Sequence, residues 1–122
     1  MSARLLCYLA SPYTDAYPDV QTMRFELAAL AAGQLIKQGY FVFSPITHTH
    51  PIAIHSTLPT DWQYWAEYDE LMIRKCDLFV ILTLDGWKES KGVQAELLIA
   101  RNRRKQCFLM CPLDSKLLPY TE

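Results

Sequence analysis

Short apolar runs alternate along this chain with longer stretches whose apolar positions recur every three to four residues. Residues 4–10, 40–44, 76–84 and 107–111 are the apolar runs and predict four strands. Between the first two, residues 19–38 carry Val20, Met23, Leu27, Leu30 and Ala31 on one helical stripe, and Gly39 is placed to end that helix. Residues 45–59 are polar and proline-bearing and predict a long connection. Thr60 and Gln63 then form a capping-box pattern for a second helix running to about residue 75. After the third strand, Asp85-Gly86-Trp87 turns the chain outward and Ser90 opens a third helix with Val93, Leu97 and Ala100 on its stripe. The basic run at 101–105 closes that helix, where cations favour the dipole. Residues 112–122 predict an irregular tail.

Buried strands alternating with helices are the signature of a parallel sheet covered on both faces. Right-handed crossovers leave few topologies, and the economical one is a flavodoxin-like α/β three-layer sandwich with a parallel sheet of four to five strands and the first strand central. Ligands in such sheets sit beyond the carboxyl ends of the strands, which directs attention to residues 11–15, 45–55, 85–90 and 112–114. Asp77 lies at the opposite end and reads as a cap on the turn into the third strand.

Composition narrows the function. With 122 residues, 51% hydrophobic and 20% charged, the expectation is one domain over 1–122. A net charge of -1 with Lys and Arg spread along the chain offers no basic face for nucleic acid or anionic lipid. No stretch approaches the roughly 20 apolar residues of a membrane span, and the N-terminus lacks the order of a signal peptide, so a cytoplasmic protein is expected. Cys7, Cys76, Cys107 and Cys111 fall in or beside strands without C-x-x-C spacing and read as reduced core thiols.

Two carboxylates stand out. At 100° per residue, Trp62, Trp65, Ala66, Ile73 and Cys76 share one helix face, and Asp69 falls among them, so a carboxylate points inward. An ionised group buried without partners costs several kcal/mol, so Asp69 is expected either to tie down a loop or a nearby Tyr or Trp, or to line a wet cleft. Glu96 sits at the edge of the stripe one turn beyond Ser90, either exposed or facing that cleft. Gly92 costs about 1 kcal/mol relative to alanine in a first helical turn, which close approach of a ligand would explain. The helix N-terminus at Ser90, Lys91 and Gly92 suits a phosphate or sugar hydroxyl, which would favour a nucleotide over a nucleoside. Trp87 and Tyr13 are candidate stacking surfaces for a base.

Tyr8-Leu-Ala-Ser-Pro12, the inward Asp69 eight residues before Asp77, and Gly92-x-x-x-Glu96 together resemble the nucleoside 2-deoxyribosyltransferase superfamily and its nucleotide N-glycosidase relatives. Through SPITHTHPIA, the DxxLxxxCD helix end and DGWxxSKGVxxE, the chain is similar to a small bacterial and phage branch of that superfamily. The resemblance implies that Glu96 is the nucleophile at the anomeric carbon of a nucleoside or nucleotide, that Asp69 assists the departing base, and that Tyr8 positions the nucleophile. Ser11, Pro12, Tyr13, His48, Asp85, Trp87, Ser90, Lys91 and Gly92, from the segments at the carboxyl ends of the strands and the helix start that follows, are the candidate substrate-binding residues. Such chemistry needs a carboxylate beside C1 and an acid near the leaving nitrogen, with no metal or cofactor. In the transferase branch a neighbouring subunit helps close the site, so a homo-oligomer is implied. Where deoxyribosyltransferases carry a second carboxylate six positions before the glutamate, this chain has Ser90.

Two other functions remain open at this point. A non-catalytic nucleotide-binding or sensing module would keep the cleft without the second carboxylate. A metal-dependent hydrolase would gather His48, His50 and His55 with Asp15 or Asp85 around a divalent ion.

Overall fold

The computed structural model describes residues 4–121. In chain order these form β1 (Leu6–Ala10), α1 (Pro18–Lys37), β2 (Phe41–Phe43), α2 (Pro45–Ser56), α3 (Trp62–Lys75), β3 (Leu78–Leu82), α4 (Lys91–Asn102), β4 (Gln106–Met110) and β5 (Leu117–Pro119). The sheet order is β2-β1-β3-β4-β5, parallel throughout except for the antiparallel pairing of β4 with β5. The fold is therefore the open, three-layer, flavodoxin-like α/β arrangement that the alternation implies. β1 is an interior strand between β2 and β3, although the middle of the five is β3.

Successive strand residues point to opposite faces, and both faces here are apolar. Cys7, Leu9, Leu78, Val80 and Leu82 face one way and pack against Ala31 and Leu35 of α1. Tyr8, Ala10, Phe79 and Ile81 face the other way and pack against Ile73 of α3 and Val93, Leu97 and Ala100 of α4. Every residue of β3 is buried, and a fully buried Leu, Ile, Val or Phe contributes roughly 1.5–3 kcal/mol, so this strand anchors both layers.

Four expectations are corrected. Residues 45–59 are not a loop: α2 forms because Ser44 caps it, its hydroxyl accepting from the Thr47 N–H at 3.4 Å, and Pro45 occupies the first turn, where no donor is lost. Pro51 interrupts the hydrogen bonding inside that helix, and burial of Ile46, Thr49, His50 and Ala53 offsets the interruption. The α1 stripe is rotated from the one expected: Ala28, Ala31 and Leu35 are buried while Met23 and Leu30 are 50% and 67% exposed. The small alanines let the helix approach the sheet closely. Asp61, rather than Thr60, caps α3, its Oδ2 accepting from the Tyr64 N–H. The tail contains β5, which turns back after residues 112–116 to pair with β4.

Asp77 does lie at the amino edge of the sheet. Its Oδ2 accepts the Leu6 N–H at 2.8 Å while its own N–H donates to the Leu6 carbonyl, so it pins the start of β1 to that of β3. All four cysteines are free thiols; Cys7, Cys76 and Cys107 are buried and Cys111 is half-buried. Among the described residues, no helix is long and apolar enough to cross a membrane.

Candidate active site

Three elements bring their polar groups to one point. Tyr8 leaves β1 toward the α3 and α4 layer, with its ring stacked on Phe79 at 5.5 Å between centroids and tilted against Phe43 at 5.7 Å. Those contacts leave the ring little freedom, and its hydroxyl donates to Glu96 Oε2 at 2.9 Å. Glu96 faces inward because α4 buries Val93, Glu96, Leu97 and Ala100 on one stripe. Asp69 faces inward because Trp65, Asp69 and Ile73 follow one another at four-residue spacing on α3. Both carboxyls are 5% exposed.

Burial raises the pKa of both acids, and their proximity raises Glu96 further. Asp69 is pushed up to about 6, chiefly by desolvation and partly offset by its hydrogen bond with Glu96. Glu96 rises well above the ordinary carboxyl range, through desolvation first and the neighbouring Asp69 charge second, with the Tyr8 hydroxyl pulling it back down. Tyr8 itself is held well above its usual value by burial and by the two carboxyls. The pair therefore shares one proton near neutrality, held mainly on Glu96. Asp69 Oδ1 is a buried acceptor with no hydrogen-bond partner among the described residues.

A cleft of about 710 Å³ opens over this pair at the carboxyl ends of β1, β2 and β3, a volume typical of small-molecule sites. Trp62, Trp65, Ile46 and Tyr13 supply its apolar walls, and Asp69 and Glu96 its floor. Two further buried polar atoms in its lining residues have no partner: Ser11 Oγ and Trp62 Nε1.

Of the substrate-binding residues expected from the sequence, Ser11, Tyr13, Ser90, Lys91 and Gly92 line the cleft. Ser90 spends its hydroxyl on capping α4, accepting the Val93 N–H at 3.2 Å. Gly92 is explained by protein packing and not by a ligand: a Cβ there would lie 2.9 Å from Trp62 Cδ1. Tyr8 lies behind Glu96, and Pro12 is fully buried beneath the wall. His48, Asp85 and Trp87 are not brought to the cleft. His48 stacks on Tyr68 and bonds its hydroxyl at 2.7 Å. Asp85 is exposed, with its carbonyl taken by Arg24, and Trp87 packs edge-on against Tyr120. Residues 112–114 also lie outside the cleft.

The walls formed by Trp62 and Trp65 and the rim carboxylates Asp61 and Glu89 were not among the expected site residues. The signal for the two tryptophans was present, since both share the helix face that carries Asp69.

The histidines do not form a metal centre. α2 turns them apart: His50 packs under Phe25 at 4.4 Å and meets the Tyr13 hydroxyl through Nδ1 at 2.6 Å, His48 is engaged with Tyr68, and His55 is exposed. Burial lowers the His50 pKa and keeps it neutral. Among the described residues, no group of three or more His, Cys, Asp or Glu side chains is arranged to hold a metal ion.

Residues 5–111 match a family model described as a domain of unknown function (DUF1937). The chain belongs to that family. The matched span contains Tyr8, Asp69, Glu96 and every element lining the cleft, and only β5 lies beyond it. No curated protein matches the chain.

Proposed function

We propose that the protein cleaves or transfers at the N-glycosidic bond of a nucleoside or nucleotide, with Glu96 as nucleophile, Asp69 as the acid for the departing base and Tyr8 as the residue that positions Glu96. The observation that carries this reading is the convergence of Glu96 and Asp69, from two helices, on the floor of one cleft, with Tyr8 of β1 behind them bonded to Glu96. The resemblance to the nucleoside 2-deoxyribosyltransferase superfamily supports it through the same three residues.

The shared proton gives the pair both forms the chemistry needs. Moving it from Glu96 to Asp69 leaves an ionised nucleophile beside a protonated acid. A Glu96 oxygen then bonds to the anomeric carbon as the carbon–nitrogen bond breaks, and its electron pair leaves with the base, which takes the proton from Asp69. Water, or a second base in a transfer, attacks the same carbon. It releases Glu96 as carboxylate and returns a proton to the pair. The sugar must enter between the two carboxyls, since the base departs opposite the incoming nucleophile. Tyr8 holds Glu96, so Asp69 is the group that moves aside. No metal or cofactor enters these steps, and in this reading a second copy of the chain closes the cleft.

One observation favours a second reading. A glutamic acid kept protonated near neutrality is a hydrogen-bond donor rather than a nucleophile, which suits a module that binds nucleotides without cleaving them. Chromatography for free base after incubation with a panel of nucleosides and 5'-nucleotides decides between them. Base release that Glu96→Ala abolishes supports the enzyme. Ligands that raise the melting temperature while every base stays attached support the module.

A further inference from the structure

The charges around the cleft are unequal. Among the described residues lining it, Lys91 is the one cation, set against Asp61 and Glu89 at the rim and the Asp69–Glu96 pair on the floor. Counting one proton shared by the buried pair, the cleft carries an excess of two negative charges, one exposed at the rim and one buried. Apolar walls that exclude water strengthen a buried charge, whereas salt weakens the exposed ones. Phosphate would be repelled by this field. The Ser90 hydroxyl is already committed to its own helix, and Lys91 alone does not reverse the sign.

The walls favour the opposite ligand charge. Trp62, Trp65 and Tyr13 present aromatic surface to the same space, and the face of an aromatic ring attracts cations, tryptophan most strongly. Two buried polar atoms mark the place as built for a ligand: Ser11 is 7% exposed with an unpartnered hydroxyl, and Asp69, at 5%, has an unpartnered Oδ1.

We infer that the cleft selects an unphosphorylated nucleoside whose base carries a positive charge, such as an N-alkylated purine or a pyridinium, held between the tryptophans and above the carboxyl pair. The sugar half of this assignment rests on the N-glycosidic function proposed above; the preference for an aromatic cation does not. Such a base leaves as a neutral molecule, so the cleavage step places less demand on Asp69 for a proton. A cation over the floor also stabilises both carboxylates in their ionised form. Binding therefore expels the shared proton to solvent.

The test is calorimetric titration at neutral pH with adenosine, 1-methyladenosine, whose base is cationic there, and adenosine 5'-monophosphate. A second pair, nicotinamide and 1-methylnicotinamide, has no glycosidic bond to cleave. The cationic member of each pair is expected to bind about tenfold more tightly. Its heat should vary with the ionisation enthalpy of the buffer, showing a proton released. Asp61→Asn with Glu89→Gln, both exposed and outside the carboxyl pair, should reduce the preference without abolishing it. Equal affinities within both pairs, no proton release, or tightest binding of the monophosphate would overturn the inference. Cation preference without base release from any nucleoside leaves it standing and removes the glycosidic function; base release from adenosine with no cation preference does the reverse.

Discussion

Replacing Asp69 with asparagine removes one of two buried acids that compete for a single proton, and it should stabilise the fold. Raising the Asp69 pKa from 3.8 to about 6 makes its ionised form roughly 3 kcal/mol costlier in the folded chain than in the unfolded one, at 1.36 kcal/mol per pKa unit. The raised pKa means that the folded state binds more protons than the unfolded state between about 4 and 6. Stability from this group is therefore complete below the unfolded value and is lost as pH rises through the folded one. Glu96, also raised, extends the same loss to higher pH. Urea unfolding of wild type and Asp69→Asn should give nearly equal stabilities at about pH 4, diverging until the variant leads by about 2–3 kcal/mol at about pH 8. Taking the difference cancels the opposite slope of His50, whose lowered pKa costs stability as pH falls, and the high-pH contribution of the buried thiols. A variant less stable than wild type at about pH 8, or a difference that does not change with pH, would refute the shared-proton description.

The remaining expectations concern neighbours of the pair. Tyr8→Phe deletes the 2.9 Å hydrogen bond that lowers the Glu96 pKa, so it should cost about 1 kcal/mol in urea unfolding and cut base release at least tenfold at saturating substrate. With a neutral nucleoside such as adenosine, the pH profile of kcat/KM should be bell-shaped with an acid limb near 6, because the free protein's working form holds one proton on the pair, and Tyr8→Phe should move the alkaline limb upward. Gly92→Ala places a methyl against Trp62 at 2.9 Å; ligand affinity should fall while stability changes by less than about 1 kcal/mol, since alanine's helix propensity offsets the crowding. Zinc or manganese should leave the melting temperature of the chain and of His48→Ala/His55→Ala unchanged, because the three histidines have separate neighbours; a metal-dependent rise lost in the double variant would restore the metal reading.

The inward carboxylates were legible because a helix converts spacing into direction. Asp69 shares its face with Trp65 and Ile73, and Glu96 lies beside Val93 and Leu97, so periodicity alone narrowed where each could point. The parallel sheet was legible because β1 and β3 are apolar without interruption. What escaped the sequence depended on longer-range packing. α2 carries Pro51 and three histidines, and only its burial against α1 and β1 makes a helix of it, although Ser44 and Pro45 were a readable start signal. β5 has three residues and exists only because β4 offers it an edge. Gly92 looked like space for a ligand because no local pattern reveals Trp62 arriving from another helix. His48, Asp85 and Trp87 sit in the right segments of chain, but their side chains have nearer partners or face solvent.

The most direct test is whether a sugar becomes attached to Glu96. Wild-type protein mixed with nucleosides, quenched in acid and examined by intact-mass and peptide mass spectrometry should gain the mass of one pentosyl group, located on the peptide containing Glu96 and missing from Glu96→Gln. Free base released at undiminished rate by Glu96→Gln, or a chain that binds nucleosides yet never carries the adduct or releases base, would contradict the account.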